Sequence, residues 1–391
     1  MLPPYLMVSD TGSFAEHTIL YRKPGVVTEV IDTQHYSEEI VSELHRLIDE
    51  IRGAPVAPLP EDARDAGRWR EALAPWEGAT WLQLPWFVAE TYFYRRLLET
   101  VRYFEPGRWF LLDPFEPQKR EALGEGLEAT QRFYENLDES DLEGLFWIAM
   151  SRSLWGNRAD LSNIAISGGS EADGDESHRI LIDHRRDVWE RVSAGQVKRL
   201  DWVADNSGPE LLADMGLIGL MLEHDLVDTV HIHLKPQPYF VSDAMSKDYV
   251  LSRQALEAMR DPASEALGAL LRRAQEESRI VLEAHWFWTT SRHLTELPPD
   301  LKEHLMGSDL ILLKGDVNYR RLLEDRHWPH TTDMAAVTRY MPAPFVTLRT
   351  LKAELMVGLQ EGEAATIAAE DADWLVSGER GVIHYVDPRR D

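Results

Sequence analysis

Four short stretches of this 391-residue chain carry side chains able to hold a cation and an anion together. In DNSGPE, Asp205 and Asn206 stand side by side behind the apolar run LDWVA and just ahead of Ser207, Gly208, Pro209 and Glu210. HLKPQPYFVSD supplies Lys235 and Asp243. KGDVN supplies Lys314, Gly315, Asp316, Val317 and Asn318, and RTLK supplies Arg349 and Lys352. Carboxylates and carboxamides are hard oxygen donors. They suit magnesium or manganese, which keep waters and take phosphate oxygens in the remaining positions. Lys314, Lys352 and Arg349 offer the charge that neutralises a phosphate. A helix opening at Pro209 and Glu210 adds backbone N–H groups and a partial positive charge, and Gly208 and Gly315 permit positive φ or a close backbone approach. Such parts together describe metal-assisted phosphoryl chemistry. Each alone has a plainer reading. Asp-Asn before Gly-Pro makes Asx turns, and Asp316 would serve as the N-cap of the next helix. It is the delivery of all of them to strand ends that favours a site.

The elements that must position them change character along the chain. Up to about residue 195 the pattern is helical. SEEIVSELHRLIDEIRG, beginning at Ser37, has helical apolar spacing, and the segments 86–104 and 142–162 are apolar almost all round, the latter up to Gly156. The Pro-rich stretch 53–67 reads as a loop, and the acidic, Gly-rich stretch 167–177 as mobile, solvated surface. From about residue 196, strand-like VKRLDWVAD, VDTVHIHLK, IVLEAHWFW and DLILLKGD alternate with helical segments. That alternation predicts right-handed βαβ units and a mostly parallel sheet, in which ligands bind beyond the carboxyl ends of the strands. The expectation is an α/β protein: an N-terminal helical domain, 1–195, followed by an α/β/α sandwich, 196–391, carrying the site.

Composition narrows the function. The net charge of −26 disfavours a nucleic-acid binder, while a small anion remains admissible wherever a metal or a cationic pocket reverses the local field. Without cysteine there is no disulfide, thiolate nucleophile or Cys-ligated zinc. The opening MLPPYLMVSDTGSF lacks a basic region and a sustained apolar run, and no window is long and apolar enough to span a bilayer. A cytoplasmic protein without a membrane partner is expected; the sequence does not set its oligomeric state. His231 and His233 lie two apart on a predicted strand, hence on one face. They are zinc-ligand types, but the simpler reading is a pair of satisfied core histidines. Asn157 and Asp160 in GNRADLS are placed to reach the cleft or simply to cap a helix, and DADWL, 371–375, lacks the preceding strand a phosphatase nucleophile loop needs. No G-x-G-x-x-G follows a strand, so there is no dinucleotide fingerprint.

Seven segments in order resemble the damage-control phosphatase family, in its sugar-phosphate subfamily also named acidic-residue (protein-glutamate) methyltransferase. These are GSFAEHTILYRKPGVVTEVI, LPWFVAETYFYRRLLE, LWGNRADLS, VADNSGPELLADMGL, HLKPQPYFVSD, LILLKGDVNYRRL and LRTLKAELMVGL. The resemblance implies that Asp205, Asn206 and Asp243 are metal ligands, with manganese the expected ion and cobalt, nickel or magnesium alternatives. It implies that Lys314 to Asn318 form a substrate loop, that Lys352 of the Arg-Thr-x-Lys motif contacts substrate, and that Glu210 falls where a methyl-donor contact is assigned. Ser207, Val317 and Glu354 depart mildly from the family pattern, and none removes a metal or phosphate group. The implied activity is a metal-dependent phosphomonoesterase hydrolysing small sugar phosphates or damaged phosphometabolites. Within it Arg349 stabilises phosphate charge, and Asp316 positions water or recognises a sugar hydroxyl. The alternatives are an S-adenosylmethionine-dependent protein carboxyl methyltransferase and a non-catalytic protein that binds a phosphate ligand.

Overall fold

A computed structural model describes residues 2–137, 141–156 and 179–388. Asn157, Asp160 and the acidic stretch 167–177 lie outside the described residues. Seven strands form one sheet: β1 Ile180–Asp183, β2 Arg199–Val203, β3 Thr229–His233, β4 Ile280–Glu283, β5 Leu310–Lys314, β6 Phe345–Thr350 and β7 Gly381–Val386. Their spatial order is β1-β7-β6-β5-β2-β3-β4. All neighbours are parallel except β6 and β7. The chain builds outward from β2 through β3 to β4, then returns to the other side of β2 for β5 and β6. The order therefore reverses between β2 and β5, and the crevice beyond their carboxyl ends is where such sheets bind ligands.

Alternation along the strands divides the interior. Leu200, Trp202, Val230, Ile232, Leu310, Leu312, Val346 and Leu348 enter one core, and Val203, Ile311, Leu313 and Phe345 enter another on the opposite face. The first core is closed by the helix Pro209–Glu223, apolar on nearly every side, which packs against Glu116–Asn136 and Leu142–Trp155. The helices Pro299–Met306 and Gly315–Leu322 contribute to the second.

A third core, running from Val8 to Phe115 with Tyr239 and Val317, belongs to the N-terminal helices. At its centre is the helix Trp86–Thr100, buried on almost all sides as its composition predicts. The helix Glu38–Ile51 starts at Ser37, whose hydroxyl accepts from the Ile40 N–H. The proposed boundary near residue 195 does not coincide with these cores. The helix 142–155 packs on the sheet through Phe146, Met150, Leu154 and Trp155, the helix 116–136 packs on Pro209–Glu223 in the same core, and β1 precedes the boundary. Apolar periodicity marks a buried helix face without saying which core receives it, and a four-residue edge strand leaves too little alternation to read. Among the described residues no helix is long and apolar enough to cross a membrane.

Candidate functional site

The run after β2 and the run before the helix Ser246–Glu257 lie antiparallel to each other. Asn206 bridges Asp243, Ser207 N–H donates to Ser242 O at 2.7 Å, and Ala244 N–H donates to Asp205 O at 2.8 Å. Gly208, at φ +74, turns the chain into the helix Pro209–Glu223. From the other side of the switch point, β5 ends at Lys314 and Gly315 opens the helix Gly315–Leu322. Gly315 has φ +79, and a Cβ built on it would lie 1.9 Å from Asp205 Oδ2. Only glycine lets the β5 loop approach the Asp205 carboxylate this closely.

The result is a cleft of about 210 Å³ between the sheet edge and the N-terminal helices. The sheet side supplies Asp205, Asn206, Glu210, Asp243, Gly315, Asp316, Val317 and Lys352; Phe14, Thr18, Arg22, Trp86, Glu90 and Tyr94 face them. A larger cavity of about 330 Å³ lies elsewhere, beside Tyr5, Trp76 and Phe87, and has no such group of carboxylates with a carboxamide.

Asn206 Nδ2 donates to Asp205 Oδ2 at 2.7 Å and to Glu210 Oε2 at 2.9 Å, while Ser242 Oγ donates to Asn206 Oδ1 at 2.5 Å. Lys235 Nζ, buried beneath, donates to Ala204 O at 3.0 Å and lies 3.1 Å from Asp243 Oδ2. Asp205 Oδ1 is buried with no hydrogen-bond partner. Burial, then Glu210, then Asp243, push the Asp205 carboxyl well above the usual carboxylate range. Asp243 is pushed up as well, chiefly by burial, against the pull of Lys235. Crowded, desolvated carboxylates with an orphaned oxygen are what a cation would relieve, and the oxygen-only donor set matches magnesium- or manganese-class ions. The residues present fit such an ion.

Three residues expected at the substrate sit behind the cleft wall. Lys314 Nζ reaches Ser153, Glu210 at 3.3 Å and Asp214 at 3.1 Å, and these two carboxylates outweigh burial to hold its pKa up. Arg349 donates through Nε to Asp316 Oδ1 at 2.7 Å and through its terminal nitrogens to Leu355 O and Ala353 O. Asn318 Nδ2 donates to Lys314 O at 2.8 Å. Asp316 is not the N-cap, a position Lys314 takes. Its carboxylate is clamped by Arg349 and Arg320, which overcome burial and lower its pKa. Lys352 lines the cleft, and next to it Glu354 Oε1 accepts from Phe14 N–H at 2.5 Å, tying the N-terminal wall to the loop after β6.

That N-terminal wall escaped the residue-by-residue reading. Arg22 ends a π-helical stretch, Thr18–Arg22. Such wide turns gather at functional sites, but nothing in TILYR marks one. Trp86, Glu90 and Tyr94 recur at i, i+4 and i+8 along one helix face, a spacing that reads equally well as core.

Comparison with known proteins adds a family. A model described as the damage-control phosphatase ARMT1-like domain matches residues 18–367. Proteins named damage-control phosphatase ARMT1 are similar over their whole length. That of Danio rerio is 32% identical over 444 residues, spanning 100% of this chain and 99% of that protein. That of Homo sapiens is 31% identical over 443 residues, 99% of each, and that of Xenopus tropicalis 31% identical over 436 residues, 97% of this chain and 98% of that protein. Among solved structures, a DUF89 family protein from Pyrococcus horikoshii superposes with a TM-score of 0.50 at 16% identity, covering 95% of this chain and 97% of that one. This likeness speaks for the fold alone.

Proposed function

The chain belongs to the ARMT1-like damage-control phosphatase family, and on that footing we propose that its reaction takes place in the cleft at the β2–β5 switch point. The family makes it a metal-dependent hydrolase of phosphate esters. Asp205, Asn206 and Asp243 are the proposed ligands, manganese the proposed ion, and a small sugar phosphate the proposed substrate. The observation that carries the reading is the Asp205 carboxylate. Glu90, Glu210, Asp243 and Asp316 each have a cationic partner, in Lys23, Lys314, Lys235 and Arg349, whereas Asp205 is crowded by Glu210 and Asp243 and keeps a buried Oδ1 with no hydrogen-bond partner. A bound cation would relieve that carboxylate and supply positive charge for a phosphate dianion.

When bound, a divalent ion supplies a Lewis acid for the phosphoryl oxygens. The protein's own groups do the rest. Lys352 and Arg22 bind the remaining phosphate charge from opposite walls. Glu210, accepting from Asn206 and paired with Lys314, fixes the carboxamide beside Asp205. Asp316 stays ionised between its two arginines and is a weak base, which suits it to accept a hydrogen bond from a sugar hydroxyl rather than to remove a proton. The volume, below the 300–1,000 Å³ usual for drug-sized ligands, suits a small metabolite. No Gly-rich nucleotide loop is present, and the relatives carry the phosphatase name, so the methyltransferase alternative gains no support. Phosphate release should be measured across a panel of sugar phosphates with manganese, cobalt, nickel or magnesium. Release is expected with metal only, and Asp243→Asn should lower it at least about 100-fold. Wild-type turnover in that variant would remove Asp243 from the ligand set, and no release from any sugar phosphate would remove the substrate class.

A further inference from the structure

The pair His231 and His233 is not a self-contained core feature. Parallel register sets Asp201 beside His231 and His233 beside Glu283. Residues in register share a face, and so do residues two apart, so Asp201, His231, His233 and Glu283 all project from the face opposite Trp202 and Ile232. The helix Pro299–Met306 covers them with His304. Among the described residues, the two places where three His, Asp or Glu ligand atoms come within 4.8 Å of one another are both here: Asp201, His233 and His304, and His231, Glu283 and His304. His304 Nε2 lies 3.2 Å from Asp201 Oδ1 and 3.9 Å from Glu283 Oε1, and His231 Nδ1 is hydrogen-bonded to Glu283 Oε1 at 3.3 Å, a bond that an ion between the two would replace. Donors about 2.0–2.1 Å from a tetrahedral ion sit roughly 3.3 Å apart, so these separations already approximate a coordination shell.

Hydrogen bonding leaves the cluster unfinished. His304 Nε2 is a buried atom with no hydrogen-bond partner, since its approach to Asp201 lacks the alignment of a bond. His233, 1% exposed, bonds Asp201 Oδ1 through Nε2 at 2.8 Å and leaves Nδ1 unpartnered. Arg199 grips the same carboxylate with Nε to Oδ2 at 2.9 Å and Nη2 to Oδ1 at 3.1 Å. Asp201 is thus oriented and neutralised from behind, as outer groups orient a metal ligand. His231, Glu283 and His304 are only part-buried, which leaves an ion a route from solvent.

We propose that His231, Glu283 and His304, backed by Asp201, form a second metal site for a zinc-class ion on the face of the sheet away from the helix Pro209–Glu223. Two imidazoles with one or two carboxylates suit zinc and are too nitrogen-rich for magnesium or calcium. The site ties β2, β3 and β4 to the helix Pro299–Met306, roughly 13 Å along β2 from Asp205 at about 3.3 Å per residue. It does not depend on the reading of the phosphatase cleft.

The test uses full-length, chelator-stripped protein carrying Asp205→Asn and Asp243→Asn, titrated with zinc against a chromophoric chelator and then with cobalt. One zinc equivalent per chain is expected, with a visible cobalt spectrum of tetrahedral nitrogen and oxygen coordination and a melting temperature raised by zinc. Adding His304→Ala, or the more conservative Glu283→Gln, should weaken zinc binding at least about tenfold and abolish both the spectrum and the thermal shift. Zinc binding equal in the parent and in both added variants, or no zinc equivalent in the parent, overturns the site. Loss of metal from the wild-type cleft alone does not touch it.

Discussion

Lys352 is the sheet-side cation that the structure leaves facing the cleft. Lys314 and Arg349, chosen in the sequence for the same charge, are each held by carboxylates in the wall. Residue type and a place after a strand were legible. Burial was not, because it depends on Ser153, Asp214 and Asp316, partners that lie on other elements. Under the proposed function, the electrostatic load of substrate binding falls on Lys352, with Arg22 opposite. Lys352→Met should raise KM and lower kcat, costing about 1.5–3 kcal/mol in kcat/KM, roughly ten- to hundredfold. Metal affinity should change little, since an ammonium cannot ligate a cation. Lys198→Met, at an exposed position just before β2 and so at the opposite end of that strand from Asp205, should leave both intact. Steady-state kinetics beside a metal titration decides the matter, and equal effects from the two lysines would count against Lys352 as the phosphate contact.

At the scale of elements, the parts that read most clearly were β2, β3, β5 and the helix Pro209–Glu223. β5 is the continuous apolar run expected of a parallel strand covered on both faces. β2 and β3, though interrupted by Asp201, His231 and His233, keep strand-like apolar residues up to the turns marked by Asp205 and Lys235. The short edge strand β1 and the antiparallel β7 did not announce themselves, nor did the π-helical turn that sets Arg22 against the sheet. What no periodicity conveys is the distance between two loops. Asp205 follows β2, Gly315 follows β5, and their near contact comes only from the reversal of strand order between them. Gly315→Ala tests that junction. Its positive φ alone should cost about 1–3 kcal/mol, and its Cβ must displace the Asp205 carboxylate, so metal affinity and turnover should fall together. Gly362→Ala is the matched control, with φ +84 and open space around the added Cβ. It should pay a similar backbone cost in urea unfolding while keeping its activity. A Gly315→Ala protein with wild-type metal affinity would show that the close approach is incidental.

Across the whole molecule, a helical N-terminal region and a mostly parallel sheet were legible, but the seam between the N-terminal helices and the sheet runs through loops far apart in sequence. His293 sits on that seam, its ring packed between Tyr5 and Phe87 and its side chain largely buried, 8% exposed. Burial first, then Arg321 and Arg326, push its pKa down to about 3. The direction of the pH effect follows from which state binds the proton. In the unfolded chain a histidine protonates near its ordinary value of about 6.5, whereas folded His293 stays neutral down to about 3, so between those values the unfolded state holds the extra proton. Stability should therefore fall as pH drops from about 6.5 towards 3, by up to about 1.4 kcal/mol per pH unit from this residue. The total curve also contains groups of opposite sign. Asp205 and Asp243, with raised values, favour the folded state as pH falls, and protonation relieves the repulsion of a chain carrying −26. Only a difference isolates His293. Urea unfolding of the wild type and of His293→Gln should be compared at pH 7, 6 and 5, in chelator to keep metal out of the linkage. The variant loses packing and begins less stable at pH 7. Since its side chain does not titrate, the gap to wild type should narrow by about 2 kcal/mol by pH 5. A gap that stays constant across this range would mean that His293 takes up its proton in the folded protein as readily as in the unfolded one, and that the seam admits water.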